Sequence, residues 1–416
     1  MEALSSLAAR IAAYHAGRAP DLVARKFAAM AASPFAFYRG SCQLFFDAWP
    51  AHSPLDRTPA AWGCGDLHFE NFGSYKGDNR LVYFDVNDFD EAALLPAAWD
   101  VTRFAAGVFV GAQAIAVGAG EARRLARVYV DAYATALSAG KARWVERDTA
   151  TGRTRELLDA VRSRKLRALL DRRTKGSGAT RRLRIDGKKT LPVSRADAAL
   201  ARRLVRAAAA DLATLPESTS RPWGAGRGKP GARFFRVLDV ARRIAGTGSL
   251  GLDRWVVLVD GKGGADGQYL LDLKEARASA PAPRSPYRQP RWAHEAERIV
   301  AVQRRVQVVA PAMLRAVRAG RRSFVLRELQ PSQDRLQLES WRGNHGDLAD
   351  AMTTMGKLTA WGQLRASGRE GSATADDLIA FGESRAWRSA VLAMAQRVAT
   401  TTMREWREFR DEQGAS

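Results

Sequence analysis

Residues able to support phosphoryl transfer occur in a short polar segment in the N-terminal part of the chain. The segment GDLHFEN (65–71) places Asn71 five positions after Asp66, and Asp88 follows a predicted β-hairpin. Phosphoryl transfer needs a carboxylate that orients the attacking hydroxyl, together with oxygen ligands that hold Mg²⁺ against the phosphates of the donor. These three residues meet that requirement. Asp and Asn at this spacing also occur in ordinary turns, so the prediction depends on a second segment.

The second segment is rich in glycine and lies between two predicted strands. Gly246, Gly248 and Gly251 would let the backbone approach phosphate groups closely, and exposed N–H groups in such a loop favour anions. Lys274, at the end of a later predicted strand, would add a positive charge for the same phosphates. A dinucleotide-binding turn leads from a strand into a helix, so a strand on both sides argues against that fold. A plain hairpin with a glycine turn is the alternative.

The elements around these segments predict a mixed α+β, two-lobed protein. Hydrophobic residues recur at helical spacing near both chain ends and between Trp99 and Arg147. β-rich runs bounded by turn residues occur near Leu81 to Val86 and within a longer C-terminal block. We therefore expect two β-containing blocks embedded in helices. The expected divisions are a helical part with both polar loops (1–150), a basic helical segment and linker (151–232), a small β-rich lobe (233–340), and C-terminal helices that complete the helical lobe (341–416).

Composition and charge limit the class of protein. Of the 416 residues, 46% are hydrophobic and 26% are charged, which excludes wholesale disorder. The net charge is +22, and residues 141–243 hold 28 basic against 10 acidic residues. Such a segment would attract phosphates, nucleic acid or an anionic membrane surface, and a compositional drift toward arginine is the alternative. The two cysteines allow no disulfide framework, and the lack of a long apolar run predicts a cytoplasmic protein without a transmembrane segment.

Several motifs together resemble one family. The stretches SPFAFYRG, GDLHFENFG, FDVNDFDE with a following WD, GTGSLG and LKEARAS resemble the DUF2252 family of uncharacterised bacterial proteins over most of the chain. That family in turn looks like a distant relative of protein kinases and aminoglycoside phosphotransferases. The resemblance implies a protein-kinase-like fold with a small antiparallel-sheet lobe and a larger helical lobe. The glycine loop and the lysine follow the catalytic segment here instead of preceding it, so the resemblance implies a circular permutation.

The same resemblance implies roles for the polar residues of the first segment. Asp66 would be the catalytic base, and Asn71 and Asp88 would be magnesium ligands. Asp85 competes with Asp88 for the metal, and Asp90 is a further possibility. Asp100, which follows in a predicted helix, is expected to be a structural cap or to tie a loop in place, and not to be a catalyst.

The resemblance also implies which residues would bind ATP. Lys274 would pair with the phosphates, and Glu297 on the next helix would hold the lysine, with Glu295 or Gln303 as alternatives. The residues expected to cover the nucleotide are Gly246, Gly248, Ser249 and Gly251.

We therefore expect an ATP- and Mg²⁺-dependent phosphotransferase that acts on a hydroxyl of a small-molecule or protein acceptor. One alternative is a basic protein that binds nucleic acid or an anionic surface, which is less favoured because no RNP, helix-turn-helix or zinc-finger pattern is present. The same motifs are compatible with a nucleotide-binding pseudokinase without turnover or with a nucleotidyl transferase.

Overall fold

The fold has the predicted α+β class, and every strand pair in the described part of the chain is antiparallel. The computed structural model describes residues 6–163, 166–214, 233–330, 341 and 345–414. The ends of the predicted linker (215–232) and of the predicted β-rich lobe (331–340) lie outside the described residues. No helix within the described part of the chain combines the length and apolar character needed to cross a bilayer.

Helices form the larger part of the described secondary structure. They are α1 (Leu7–Tyr14), α2 (Pro20–Ala32), α3 (Pro34–Gly40), α4 (Cys42–Asp47), α5 (Ala97–Gly111), α6 (Ala119–Ser138), α7 (Gly152–Ser163), α8 (Leu166–Arg173), α9 (Arg195–Thr214), α10 (Glu295–Val306), α11 (His345–Ala366), α12 (Ala375–Glu383) and α13 (Ala386–Gly414). The strands are β1 (Ala60–Gly63), β2 (Phe72–Lys76), β3 (Val82–Val86), β4 (Ala93–Pro96), β5 (Val145–Glu146), β6 (Thr174–Lys175), β7 (Arg182–Leu183), β8 (Thr190–Leu191), β9 (Val237–Arg243), β10 (Arg254–Val259), β11 (Tyr269–Glu275), β12 (Arg315–Ala319) and β13 (Arg322–Glu328).

The helical body is organised around α5, in which every residue except Phe109 is buried. This helix is apolar on nearly all sides, as expected of a helix surrounded by protein, and it contacts α13 and α6. Its two charged residues, Asp100 and Arg103, are buried as well. Buried charges need polar or charged partners, so these two residues mark the side of α5 on which a polar site is built.

The first and last helices of the described chain belong to the same body. The Phe409 ring of α13 contacts the rings of Phe27 and Phe37, with centroid distances of 5.5 and 5.3 Å. The Trp406 indole N–H donates to the carbonyl oxygens of Met30 and Ala31, at 3.2 and 3.1 Å. Residues from both ends of the described chain therefore build one helical unit.

A six-stranded sheet with the order β12-β13-β11-β10-β9-β8 forms the second unit. β9, β10 and β11 are a meander, α10 follows, and the hairpin of β12 and β13 returns so that β13 lies beside β11. α9 contributes to a separate hydrophobic core with alternate strand residues such as Trp255, Leu271 and Phe324. The residues that alternate with these point to the other face of the sheet. They include Arg254 and Lys274, which are paired across β10 and β11. β8 and α9 precede residue 233, so the sheet unit begins before the predicted division.

The close contact between α6 and α11 can be tested at a glycine. A Cβ atom at Gly356 of α11 would overlap the Tyr129 carbonyl oxygen and would lie 3.0 Å from the Tyr133 nitrogen. We expect Gly356→Ala to lower the free energy of unfolding by about 1–3 kcal/mol, because the helices must separate to accept the methyl group. Gly346→Ala in the same helix meets no atom within 4 Å, and it should be neutral or stabilise by up to about 1 kcal/mol. Urea denaturation measures both values, and equal losses would contradict the close approach.

Candidate active site

The loop that contains Asp66 is held by Asp100 of α5. The two carboxylate oxygens of Asp100 accept hydrogen bonds from the backbone nitrogens of Cys64 and Gly65, at 2.8 and 3.0 Å. Gly65 has a left-handed backbone with φ of +77°, and a Cβ atom there would collide with the Glu91 carbonyl. This position therefore requires glycine. The loop-tying role predicted for Asp100 is confirmed.

Asp66 is oriented by a buried arginine that the sequence reasoning missed. The Nε atom of Arg103 donates to Asp66 Oδ1 at 2.7 Å, and Nη2 donates to the same oxygen. Arg103 also donates to the Tyr38 carbonyl at 3.1 Å, and its guanidinium lies 4.2 Å from the centre of the Tyr38 ring. Burial raises the pKa of Asp66, and the charge of Arg103 opposes this shift. The available signal was a single Arg three positions after Asp100 in an otherwise apolar helix.

Asn71 links the Asp66 loop to the loop that follows β3. Its side-chain amide donates to the Asp66 carbonyl oxygen at 2.5 Å. Its own carbonyl oxygen accepts a hydrogen bond from the Asn87 nitrogen at 2.8 Å. Asn71 thus lies beside Asp66, and its backbone holds the residue directly before Asp88.

Lys274 of β11 meets the loop after β3. Its ammonium forms an ion pair with Asp90 and lies 3.9 Å from Asp88 Oδ1. The lysine side chain is 8% exposed, and those of Asp88 and Asp90 are 31% and 29% exposed. Two segments far apart in sequence therefore meet at one ion-pair cluster.

The lysine partner predicted from the resemblance, Glu297, takes a different position. Its carboxylate accepts a hydrogen bond from the Ala293 nitrogen at 2.7 Å, at the beginning of α10. A carboxylate is stabilised there by the unpaired N–H groups of the first helical turn. The two competing candidates are engaged elsewhere as well, since Glu295 pairs with Arg298 at 2.7 Å and Gln303 donates to Gln307 at 3.1 Å. Asp90 is thus the residue that pairs with Lys274 in place of Glu297.

Asp85, the competing metal ligand, belongs to a different environment. Its side chain is 2% exposed and lies 3.4 Å from Arg365 Nη2 in the helical body. Burial raises its pKa to about 6, although Arg365 opposes the shift. Asp85 does not line the cavity that contains Asp66 and Asp88, so of the two candidates only Asp88 is placed beside Asp66.

The glycine loop is covered by the N-terminal helices. The carbonyl oxygen of Gly248 accepts hydrogen bonds from Arg18 Nη1 at 2.8 Å and from Lys26 Nζ at 2.9 Å. The Gly251 carbonyl accepts from the Ala19 nitrogen at 2.9 Å. Within the described residues, no backbone carbonyl accepts a hydrogen bond from the nitrogen of Gly248 or Ser249. The sequence reasoning missed this cover because Arg18 and Lys26 are remote from the loop in sequence.

The Asp66 loop, the loop after β3 and the glycine loop line one cavity of about 310 Å³. The predicted residues that line it are Asp66, Asp88, Gly248 and Ser249, together with the alternative ligand Asp90. Gly246 lines a second cavity instead, and Gly251 has a left-handed φ of +90° and lies against Arg18. Arg18, Arg39 and Arg277 add positive charge to the lining of the first cavity. A cavity with both carboxylates and guanidinium groups suits a ligand that carries phosphates and a divalent cation.

The carboxylates fit a magnesium ion that shares its ligands with a substrate. Asp66 and Asp88 both face the cavity and each influences the other electrostatically. Among the described residues, no three His, Cys, Asp or Glu side chains form a group able to hold a metal ion. Mg²⁺ commonly takes one or two protein carboxylates and completes its shell with water and phosphate oxygens. The donor set therefore suits Mg²⁺ bound together with phosphates better than an ion held by protein alone.

Comparisons with known proteins give a family without a described activity. No curated protein matches the chain, and no solved structure does either. The family DUF2252, described as an uncharacterized protein conserved in bacteria, matches residues 18–412. The matched range contains the polar loops, the glycine loop and Lys274, and the chain belongs to the DUF2252 family.

Proposed function

We propose that this protein is an ATP- and Mg²⁺-dependent phosphotransferase that transfers the γ-phosphoryl group to a hydroxyl of an acceptor. The observation that carries the proposal is the single cavity in which Asp66 and Asp88 face Gly248 and Ser249. Lys274 contacts Asp88 and Asp90, and it therefore lies next to the residues of this cavity. Phosphoryl transfer depends mainly on positioning and on neutralising charge, and this cavity supplies groups for both.

The glycine loop would bind the phosphates of the donor. The N–H groups of Gly248 and Ser249 have no backbone acceptor among the described residues, and such groups favour anions. Lys274 would pair with the same phosphates, while Asp90 holds the lysine in place. Asp88 and Asn71 would hold Mg²⁺, which would neutralise negative charge on the phosphates.

Asp66 would orient the acceptor hydroxyl. Its Oδ1 atom accepts two hydrogen bonds from Arg103, and its Oδ2 atom would accept a hydrogen bond from the hydroxyl in the cavity that Asp66 lines. In phosphoryl transfer the nucleophile contributes little bonding in the transition state. The role proposed for Asp66 is therefore orientation of the nucleophile.

A circularly permuted, protein-kinase-like fold would account for the arrangement. In support, the glycine loop joins β9 to β10, Lys274 lies in β11, and α10 precedes the hairpin of β12 and β13. The sheet unit would be the small nucleotide-binding lobe, and the helical body would be the large lobe. Both ends of the described chain contribute to that body, as a permuted chain requires.

The first test measures how much Lys274 contributes to nucleotide binding. We expect Lys274→Ala to weaken Mg-ATP binding by about tenfold or more, because a charge-assisted contact to phosphate is lost. The control is Lys262→Ala, which changes an exposed lysine in the turn after β10 and should leave the affinity unchanged. Isothermal titration calorimetry measures both variants. Lack of binding by the unmodified protein, or equal binding after Lys274→Ala, would contradict the proposal.

The second test measures how much Asp66 contributes to turnover. In an assay without acceptor, water would take the place of the acceptor hydroxyl and ADP would form from Mg-ATP. We expect Asp66→Asn to reduce this ADP formation by about 100-fold or more, while nucleotide affinity changes little. Asp85→Asn is the matched control because Asp85 is also an aspartate paired with an arginine but lies away from the cavity.

Mass spectrometry of the products distinguishes the possible reactions of the second test. ADP and phosphate support phosphoryl transfer, whereas AMP and pyrophosphate would indicate nucleotidyl transfer. An equal loss of turnover in Asp66→Asn and Asp85→Asn would show that the loss reflects damage to the fold, and it would count against the role of Asp66.

A further inference from the structure

A second cavity, of about 210 Å³, lies at the start of the glycine loop. Ile244, Ala245 and Gly246 form part of its wall, with Val256 of β10 and Leu329 beyond β13. It shares no lining residue with the catalytic cavity. The glycine loop therefore contributes its first residues to one cavity and its later residues to the other.

The charged residues that line the second cavity are all cations: Arg173, Lys189 and Arg243. Neither Arg173 nor Lys189 forms an ion pair with any residue that the structure describes. Three positive charges around a small cavity repel one another, and an anion between them would relieve that repulsion.

Arg243 also belongs to a buried cluster with excess positive charge. Asp272 of β11 is surrounded by Arg243 at 2.7 Å, Arg254 at 2.6 Å and Arg327 at 3.7 Å. All four side chains are at most 11% exposed. Among the described residues, Asp272 is the carboxylate that ion-pairs with all three guanidinium groups, and Asp88 and Asp90 act only on Arg254 from a longer distance. Positive charge therefore exceeds negative charge around Arg243. Burial lowers the pKa of Arg243 to about 9, and repulsion from Arg254 and Arg327 acts in the same direction while Asp272 opposes it.

Apart from Thr190, the other side chains of the cavity wall are apolar. Leu183, Ile244, Val256 and Leu329 provide hydrocarbon surface next to the cations. Guanidinium groups bind phosphate through paired, charge-assisted hydrogen bonds, and small-molecule sites combine an apolar lining with a few polar groups that fix orientation. The two kinds of surface fit a ligand with a phosphate at one end and an apolar group at the other.

We propose that this second cavity binds a small organic phosphate, whose phosphate contacts Arg243, Lys189 and Arg173 and whose organic part contacts Val256 and Leu329. The site is separate from the catalytic cavity and does not depend on the phosphotransferase activity proposed above. The phosphate would complete the charge balance of the Asp272 cluster.

Phenyl phosphate and inorganic phosphate are suitable probes, measured by calorimetry without nucleotide. We expect phenyl phosphate to bind about tenfold or more tightly than inorganic phosphate, because only the former also buries apolar surface. Arg243→Gln and Lys189→Gln should each weaken phenyl phosphate binding by about tenfold. Lys189 is exposed, so its variant should fold even if Arg243→Gln does not. Lys188→Gln, the neighbouring exposed lysine outside the cavity, should bind like the unmodified protein.

A comparison with the catalytic cavity tests whether the sites are separate. Lys274→Ala should leave phenyl phosphate binding within about twofold, since it removes no group of the second cavity. Loss of binding in this variant, equal affinities for the two probes, or unchanged binding in Lys189→Gln would each overturn the proposal. Because no nucleotide is present, a failure to bind Mg-ATP would count only against the phosphotransferase.

Discussion

The ion pair of Lys274 with Asp90 determines how the sheet meets the helical body. A lysine that is 8% exposed is stable only when its charge is paired, so β11 must lie beside the loop that follows β3. Arg298 of α10 reinforces this junction, because it donates to the carbonyl oxygens of Asp90 and Arg277, both at 2.9 Å. Together with the hydrogen bonds that Arg18 and Lys26 donate to Gly248, these contacts hold the glycine loop opposite Asp66.

The helical body supplies a second fixed point through α5. Asp100 and Arg103 are three residues apart, so they lie on the same side of the helix, and both contact the Gly65–Asp66 turn. Asp100 holds the backbone of the turn and Arg103 holds its carboxylate. The surrounding helix is buried and apolar, so neither charge has an alternative solvent contact. The position of Asp66 therefore follows from the core packing of the protein.

The sequence could predict the parts of the site that depend on local patterns. Turn residues around Asp66 and Asp88, glycines between strands and a lysine at a strand end are visible without a structure, and so is the α+β class. The pairing of Lys274 with Asp90 could not be predicted this way, because it depends on how β11 is placed beside the loop that follows β3, while Glu297 is held at the start of α10. Arg103 and the covering residues Arg18 and Lys26 were missed for a related reason, since each contacts a loop remote in sequence.

The N-terminal helices also affect how the glycine loop can act. Arg18 and Lys26 both donate to the Gly248 carbonyl oxygen, which fixes the orientation of the peptide between Gly248 and Ser249. In a trans peptide the N–H points opposite to the carbonyl, so the Ser249 N–H is directed away from these two cations. A loop whose peptide is already oriented loses less entropy when it binds an anion. The cover formed by α2 and the residues before it would thus prepare the loop for phosphate.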